Sequence, residues 1–191
     1  MARAWAGQGR LSFMIGGRAA DDRLMRAARA HREREEQARA ARPEPERETI
    51  VLVACSKKKA AVEAPAEELY TSPLFRKARR YAELHGDRWF IISALHGLTE
   101  PQKVIKPYNV TLKSFRKCER EQWAHCHVLS RLPKRAAAGS RIIILAGRAY
   151  YEQLEGELQR RGYQVEIPMR GLDIYAMLQF LNKELGGVGQ Q

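Results

Sequence analysis

Three ammonium groups in a row, Lys57, Lys58 and Lys59, follow a thiol and a hydroxyl, Cys55 and Ser56, directly after the apolar run Val51-Leu52-Val53-Ala54. Neighbouring ammonium groups disfavour one another's charge, so the least exposed lysine can lose its proton and serve as nucleophile or acid/base. Its companions then remain to hold phosphate. Ser56 is the better polar candidate beside them, because its hydroxyl either binds phosphate or caps the loop. Cationic neighbours would stabilise a Cys55 thiolate, but the last position of a core strand is an ordinary place for a buried cysteine, and packing is the favoured role. A solvated basic turn is the competing reading of the lysines, and their position after a buried strand counts against it.

Three further segments carry groups with chemistry. Ser93-Ala94-Leu95-His96-Gly97-Leu98 follows a second apolar run, and His96 suits general acid/base work or charge-dependent phosphate binding near neutral pH. A structural histidine that holds the turn is the alternative. Gly97 permits a positive backbone angle or a close ligand approach. Downstream, Pro107-Tyr108 lies in an extended loop, with Tyr108 available either to stack on a base or to cover the core. Gly147-Arg148-Ala149-Tyr150 forms a strand-to-helix turn whose free N–H groups and guanidinium suit an anion. It lacks the three spaced glycines of a dinucleotide fingerprint, so no dinucleotide cofactor is expected. Cys118, His125, Cys126 and His127 look like metal ligands when grouped, yet 127 turns away from the others on a helix and no second cluster completes a tetrahedral set; no metal is expected.

These groups need a scaffold. Residues 50–54, 89–93, 142–146 and 164–167 read as short, almost wholly apolar strands, and residues 73–85, 114–132, 149–161 and 172–185 as amphipathic helices between them. Such alternation predicts an α/β domain: a three-layer α/β/α sandwich with a mostly parallel central sheet. Parallel strands place their carboxyl ends on one edge, which brings residues 55–59, 93–97 and 147–150 together from distant parts of the chain.

The 191-residue chain has room for one good core and an appendage. Residues 1–48 carry a net charge of +3 and residues 49–191 a net +9, so the predicted domain is the basic part. That favours a polyanionic partner. Within residues 1–48, a loose Gly-containing segment precedes a solvated helix over about 21–42, and residues 42–46 form a Pro/Glu linker. A nucleic-acid arm is the functional alternative for this extension. Three cysteines do not make a disulfide framework, no stretch approaches the length of a membrane span, and no secretory signal precedes the domain; a cytoplasmic protein is expected. Oligomeric state is not encoded.

Residues 55–59, Leu69-Tyr70-Thr71-Ser72-Pro73-Leu74-Phe75, residues 93–98 and Pro107-Tyr108 together resemble an uncharacterised bacterial and phage domain family over about residues 50–182. More remotely, the chain is similar to the peroxide-stress protein YaaA family, matching it at Ser56, Lys59, Ser93, Gly97, Leu98, Pro107, Tyr108, Leu145, Ala146 and Tyr150. His96 stands where that family has tyrosine. Cys55, Lys59 and Ser72 also resemble a motif of the lysine-transferring domain of archaeosine synthase, with Ala60-Ala61 in place of that family's Pro-Tyr. The resemblances imply DNA binding in one case and base modification in the other.

The expectation is therefore a nucleic-acid-directed protein, with DNA ahead of RNA, acting on a nucleobase or its glycosidic bond. Lys59, His96 and Ser56 would be catalytic. Lys57, Lys58, Ser72, Ser93, Gly97, Tyr108, Gly147, Arg148 and Tyr150 would bind phosphate or base. The rivals are a non-enzymatic DNA-binding protein of stress physiology and a small-nucleotide or phosphosugar enzyme.

Overall fold

A computed structural model describes residues 25–26, 28–34, 47–132, 137 and 139–186. Backbone contacts separate residues 1–44 from residues 45–191. In the first unit residues 28–34 are helical, and Arg29 pairs with Glu33 one turn on at 3.0 Å. The loose segment and the Pro/Glu linker expected before and after that helix lie outside the described residues.

The second unit is built on a five-stranded sheet of order β4-β3-β1-β6-β7, with β1 at Thr49–Ala54, β3 at Arg88–Ser93, β4 at Gly97–Thr99, β6 at Arg141–Leu145 and β7 at Gln164–Glu166. β1, β3, β6 and β7 run parallel, and β4 is an antiparallel edge strand closed onto β3 by a turn at residues 94–96. The chain is thus an α/β fold with a mostly parallel sheet. A second, two-stranded ribbon pairs β2 (Ala64–Pro65) with β5 (Val104–Ile105).

Strand alternation divides the core into two layers, because successive side chains point to opposite faces. Ile50, Leu52, Phe90, Ile92, Ile142 and Ile144 pack on one face with Leu112, Trp123, Val128, Leu129, Leu154 and Leu158. Val51, Val53, Ile91, Ile143 and Leu145 pack on the other with Leu69, Phe75, Ala78, Met177 and Leu181. The helix after β1, α2 (Pro73–His85), therefore covers one face. The two short helices after β6, α4 (Arg148–Tyr151) and α5 (Glu155–Arg160), cover the other. Connections leaving to opposite faces put a switch point between the carboxyl ends of β1 and β6, where ligand crevices open in such sheets.

α2 has the bounds expected from the sequence, with Gly86 following it; Ser72, expected to bind phosphate or base, instead caps it through a 3.2 Å bond from the Phe75 N–H, and Pro73 occupies its first turn. The expected helix at 114–132 is broken instead into a 3₁₀ turn (Leu112–Ser114), α3 (Lys117–Trp123) and a π-helical segment (Ala124–Leu129). The expected helix at 149–161 is two pieces, and α1 (Ala66–Leu69) and α6 (Ile174–Gly186) complete the set. Among the described residues, no helix is long and apolar enough to cross a membrane.

Candidate functional site

The loop after β1 is pinned from both sides. Ser56 Oγ donates to the Lys58 carbonyl at 2.9 Å, and the same carbonyl accepts from the Thr71 N–H at 3.1 Å. The Ala60 N–H donates to the Leu69 carbonyl at 2.8 Å, so Lys59 lies opposite Tyr70 in a short antiparallel bridge. This pairing turns the Lys59 side chain inward. Its Nζ donates to the Ser56 carbonyl at 3.0 Å and lies 4.2 Å from the centre of the Tyr108 ring and 5.5 Å from that of Tyr70. Partial burial holds the Lys59 amine below its usual pKa. Lys57 and Lys58 are exposed.

Beneath the amine runs a chain of hydroxyls from three separate segments. Tyr70 and Tyr108 share a hydrogen bond of 2.7 Å, and Tyr108 and Ser93 share one of 2.6 Å. Ser93 Oγ also accepts from the His96 N–H at 2.9 Å, and the Ser93 carbonyl accepts from Trp123 Nε1 at 3.0 Å. Burial pushes the Tyr70 phenol up to about 12, and it pushes that of Tyr108 up as well. All three hydroxyls are therefore neutral at physiological pH.

His96 stands edge-on to Tyr108, with ring centres 5.2 Å apart. Its Nε2 is buried and has no hydrogen-bond partner among the described residues. Burial, with the Lys103 charge as a smaller contribution, lowers its pKa, so the imidazole is neutral at pH 7. Arg131 braces the turn by donating to the carbonyls of His96 and Leu98. A neutral imidazole and a less basic amine thus flank one phenol ring. That is the equipment of general acid/base and nucleophilic chemistry.

On the β6 side, Gly147 precedes α4, and the Tyr150 hydroxyl meets Cys55 Sγ at 3.3 Å across the crevice. Tyr150 also stands edge-on to Trp123, and burial raises its phenol pKa.

Of the residues singled out in the sequence, Lys59, Ser93, His96 and Tyr108 come together directly; Ser56 joins through its carbonyl and Tyr150 through Cys55. Others are engaged elsewhere. The Ser72 hydroxyl caps α2. Gly97 does have a positive φ of 67°, but the close approach it permits is to protein: a Cβ there would sit 2.3 Å from the His127 carbonyl oxygen. Arg148 is exposed and runs along its own helix to Glu152. The Tyr108 hydroxyl is tied to two partners, so only its ring remains for stacking. Sequence reasoning misses Tyr70 and Trp123 as site residues, although Tyr70 lies within the 69–75 segment that carries the family resemblance. Among the described residues no cluster of three or more His, Cys, Asp or Glu side chains is placed to hold a metal ion, and Cys55, Cys118 and Cys126 are free thiols.

Residues 50–183 match the model of DUF6884, a family of unknown function. The chain belongs to this family. The matched segment runs from β1 through most of α6 and contains every residue of the crevice. The chain is also 35% identical over 69 residues to a protein of Bacillus subtilis (strain 168) named Uncharacterized protein YfjM, an alignment that takes in 32% of this chain and 46% of that protein. The chain therefore spans under half the length of this relative.

Proposed function

We propose that this DUF6884 domain binds nucleic acid at the carboxyl ends of the parallel strands, between the loops that follow β1 and β3, and acts on a nucleobase or its glycosidic bond. One observation carries the reading: the Lys59 amine and the His96 imidazole flank the same Tyr108 ring, and burial lowers the pKa of both. Lys59 is the reactive or anion-orienting group, and His96 acts as acid/base. Tyr108 offers its ring to a base that has left its stack. Lys57, Lys58 and Ser56 stand on the phosphate side, with Arg148 further out. Similarity to the YaaA family, which implies DNA binding, and to the lysine-transferring domain of archaeosine synthase, which implies base modification, supports the same class of substrate.

A second reading follows from a different observation. Lys59 Nζ already has a carbonyl and an aromatic ring as partners, which suits a lysine that fixes the loop while the exposed lysines grip phosphates without turnover. Mass spectrometry of single-stranded and duplex DNA and RNA incubated with the full chain separates the two. The first reading expects a released base, an abasic site or a lysine-linked adduct, lost by about a hundredfold or more in Lys59→Ala and His96→Ala. Activity and nucleotide affinity left intact in both variants would overturn it.

A further inference from the structure

The β2–β5 ribbon has no part in the hydroxyl network, yet it is built onto the same site. Its inner side is anchored: Ile105 and Ala66 are buried in the core layer that also holds Tyr70, and the Ala66 N–H donates to the Lys103 carbonyl at 2.9 Å. Its outer side is open. Val104 is 60% exposed and lies between the exposed Lys103 and Lys106 along the chain, and four residues join Lys59 to the β2 strand. Lys103 is close enough to His96 to act on its charge.

The carboxylates on these segments are the exposed Glu63 and Glu68 and the half-buried Glu100, while Glu67 is committed to Arg79. Four exposed lysines, Lys57, Lys58, Lys103 and Lys106, therefore leave the rim net positive. A mononucleotide offers one phosphate group or chain at a single point, whereas these lysines are carried on two separate segments, the β1 loop and the ribbon. A polynucleotide backbone offers phosphates at intervals. An apolar side chain set between two lysines adds a surface that a base face covers and a bare phosphate chain does not.

We propose that the ribbon is a guide for a single strand, with Lys103 and Lys106 on its phosphates and Val104 against an unpaired base, so that the substrate of the crevice is a polynucleotide with unstacked bases. This rests on the function proposed above and names its substrate class. Duplex ends and mononucleotides are the poorer ligands.

The test is fluorescence anisotropy of the full chain with a labelled oligothymidylate and an abasic oligomer of equal length over a salt series. Lys103→Gln with Lys106→Gln should reduce the slope of log affinity against log salt by about 1.4, since each lysine lost from a single strand removes about 0.7. Val104→Ser should weaken oligothymidylate by about fivefold and leave the abasic oligomer unchanged, because only the former covers apolar surface. An unchanged slope in the double variant, or an equal loss for both oligomers in Val104→Ser, overturns the ribbon alone. Failure of the unaltered protein to bind oligothymidylate removes the nucleic-acid reading with it. Full strand binding with no product in the mass-spectrometric assay leaves the ribbon standing and ends the catalytic reading.

Discussion

The two ends of the central sheet are charged in opposite styles. At the amino ends of the strands, cations meet carboxylates: Arg141 makes a two-pronged contact to Glu166 at 2.6 and 2.7 Å, Arg88 reaches Glu48 at 3.1 Å, and the Thr49 N–H donates to Asp87 at 2.7 Å. The Arg141 guanidinium holds the Glu166 carboxyl below its usual range. At the carboxyl ends, no ion pair among the described residues reaches Lys57, Lys58 or Lys59; Lys59 is met by a carbonyl and aromatic rings instead. Charge that is satisfied internally has nothing left for a ligand. Charge met only by dipoles and π-faces keeps its field, and the difference supports the proposed site at the carboxyl ends of the strands.

This contrast can be broken in graded steps. The largest effect should come from Tyr108→Phe, which keeps the ring under Lys59 but leaves the buried Tyr70 hydroxyl and Ser93 Oγ without their shared partner; urea denaturation should show a loss of about 2 kcal/mol. A loss below about 0.5 kcal/mol would mean that the carboxyl end is not held by its hydroxyls.

A smaller effect belongs to His96. Its folded pKa lies below its unfolded value near 6.5, so the unfolded chain takes up more protons in that range and stability falls as pH drops through 6.5 toward the folded pKa. Thermal melts of the native chain should therefore drop more between pH 7.5 and 5.5 than those of His96→Gln. Identical pH slopes would show that the imidazole is not desolvated. If His96 is the base, activity should also rise with pH through that depressed pKa and level off by neutrality.

The smallest effect is expected at the other end of the sheet. Arg141→Gln removes a half-exposed pair and should cost about 0.5 kcal/mol, with strand binding unchanged. A large change in nucleic-acid affinity there would erase the distinction between the two ends.

Much of the scaffold is legible from local pattern. Apolar runs locate the parallel strands, and an amphipathic run followed by Gly86 locates α2, while Ser72, read as a ligand contact, proves to be its N-cap. The ribbon is not legible, because two residues per strand cannot display a period. Nor is the break at residues 123–124, where an α-helix passes into a π-helix while the apolar spacing of Trp123, Val128 and Leu129 still suits a single helix. The convergence of Lys59 and His96 follows from parallel topology alone, but their shared neighbour does not. Tyr70 and Tyr108 are 38 residues apart and Cys55 and Tyr150 are 95 apart, so a bond between their side chains leaves no mark on the sequence around either. Gly97 carries a related lesson: its positive φ is foreseeable, whereas the element crowding it, His127, belongs to a helix 30 residues on.

The Tyr70–Tyr108–Ser93 chain has one more effect. A frame made of alcohol and phenol groups carries no formal charge from acid to mildly alkaline conditions, so protonating or deprotonating whatever occupies the rim leaves the supports where they are. Reagents that titrate can be exchanged at such a centre, by mutation or over evolutionary time, without rebuilding the walls around it.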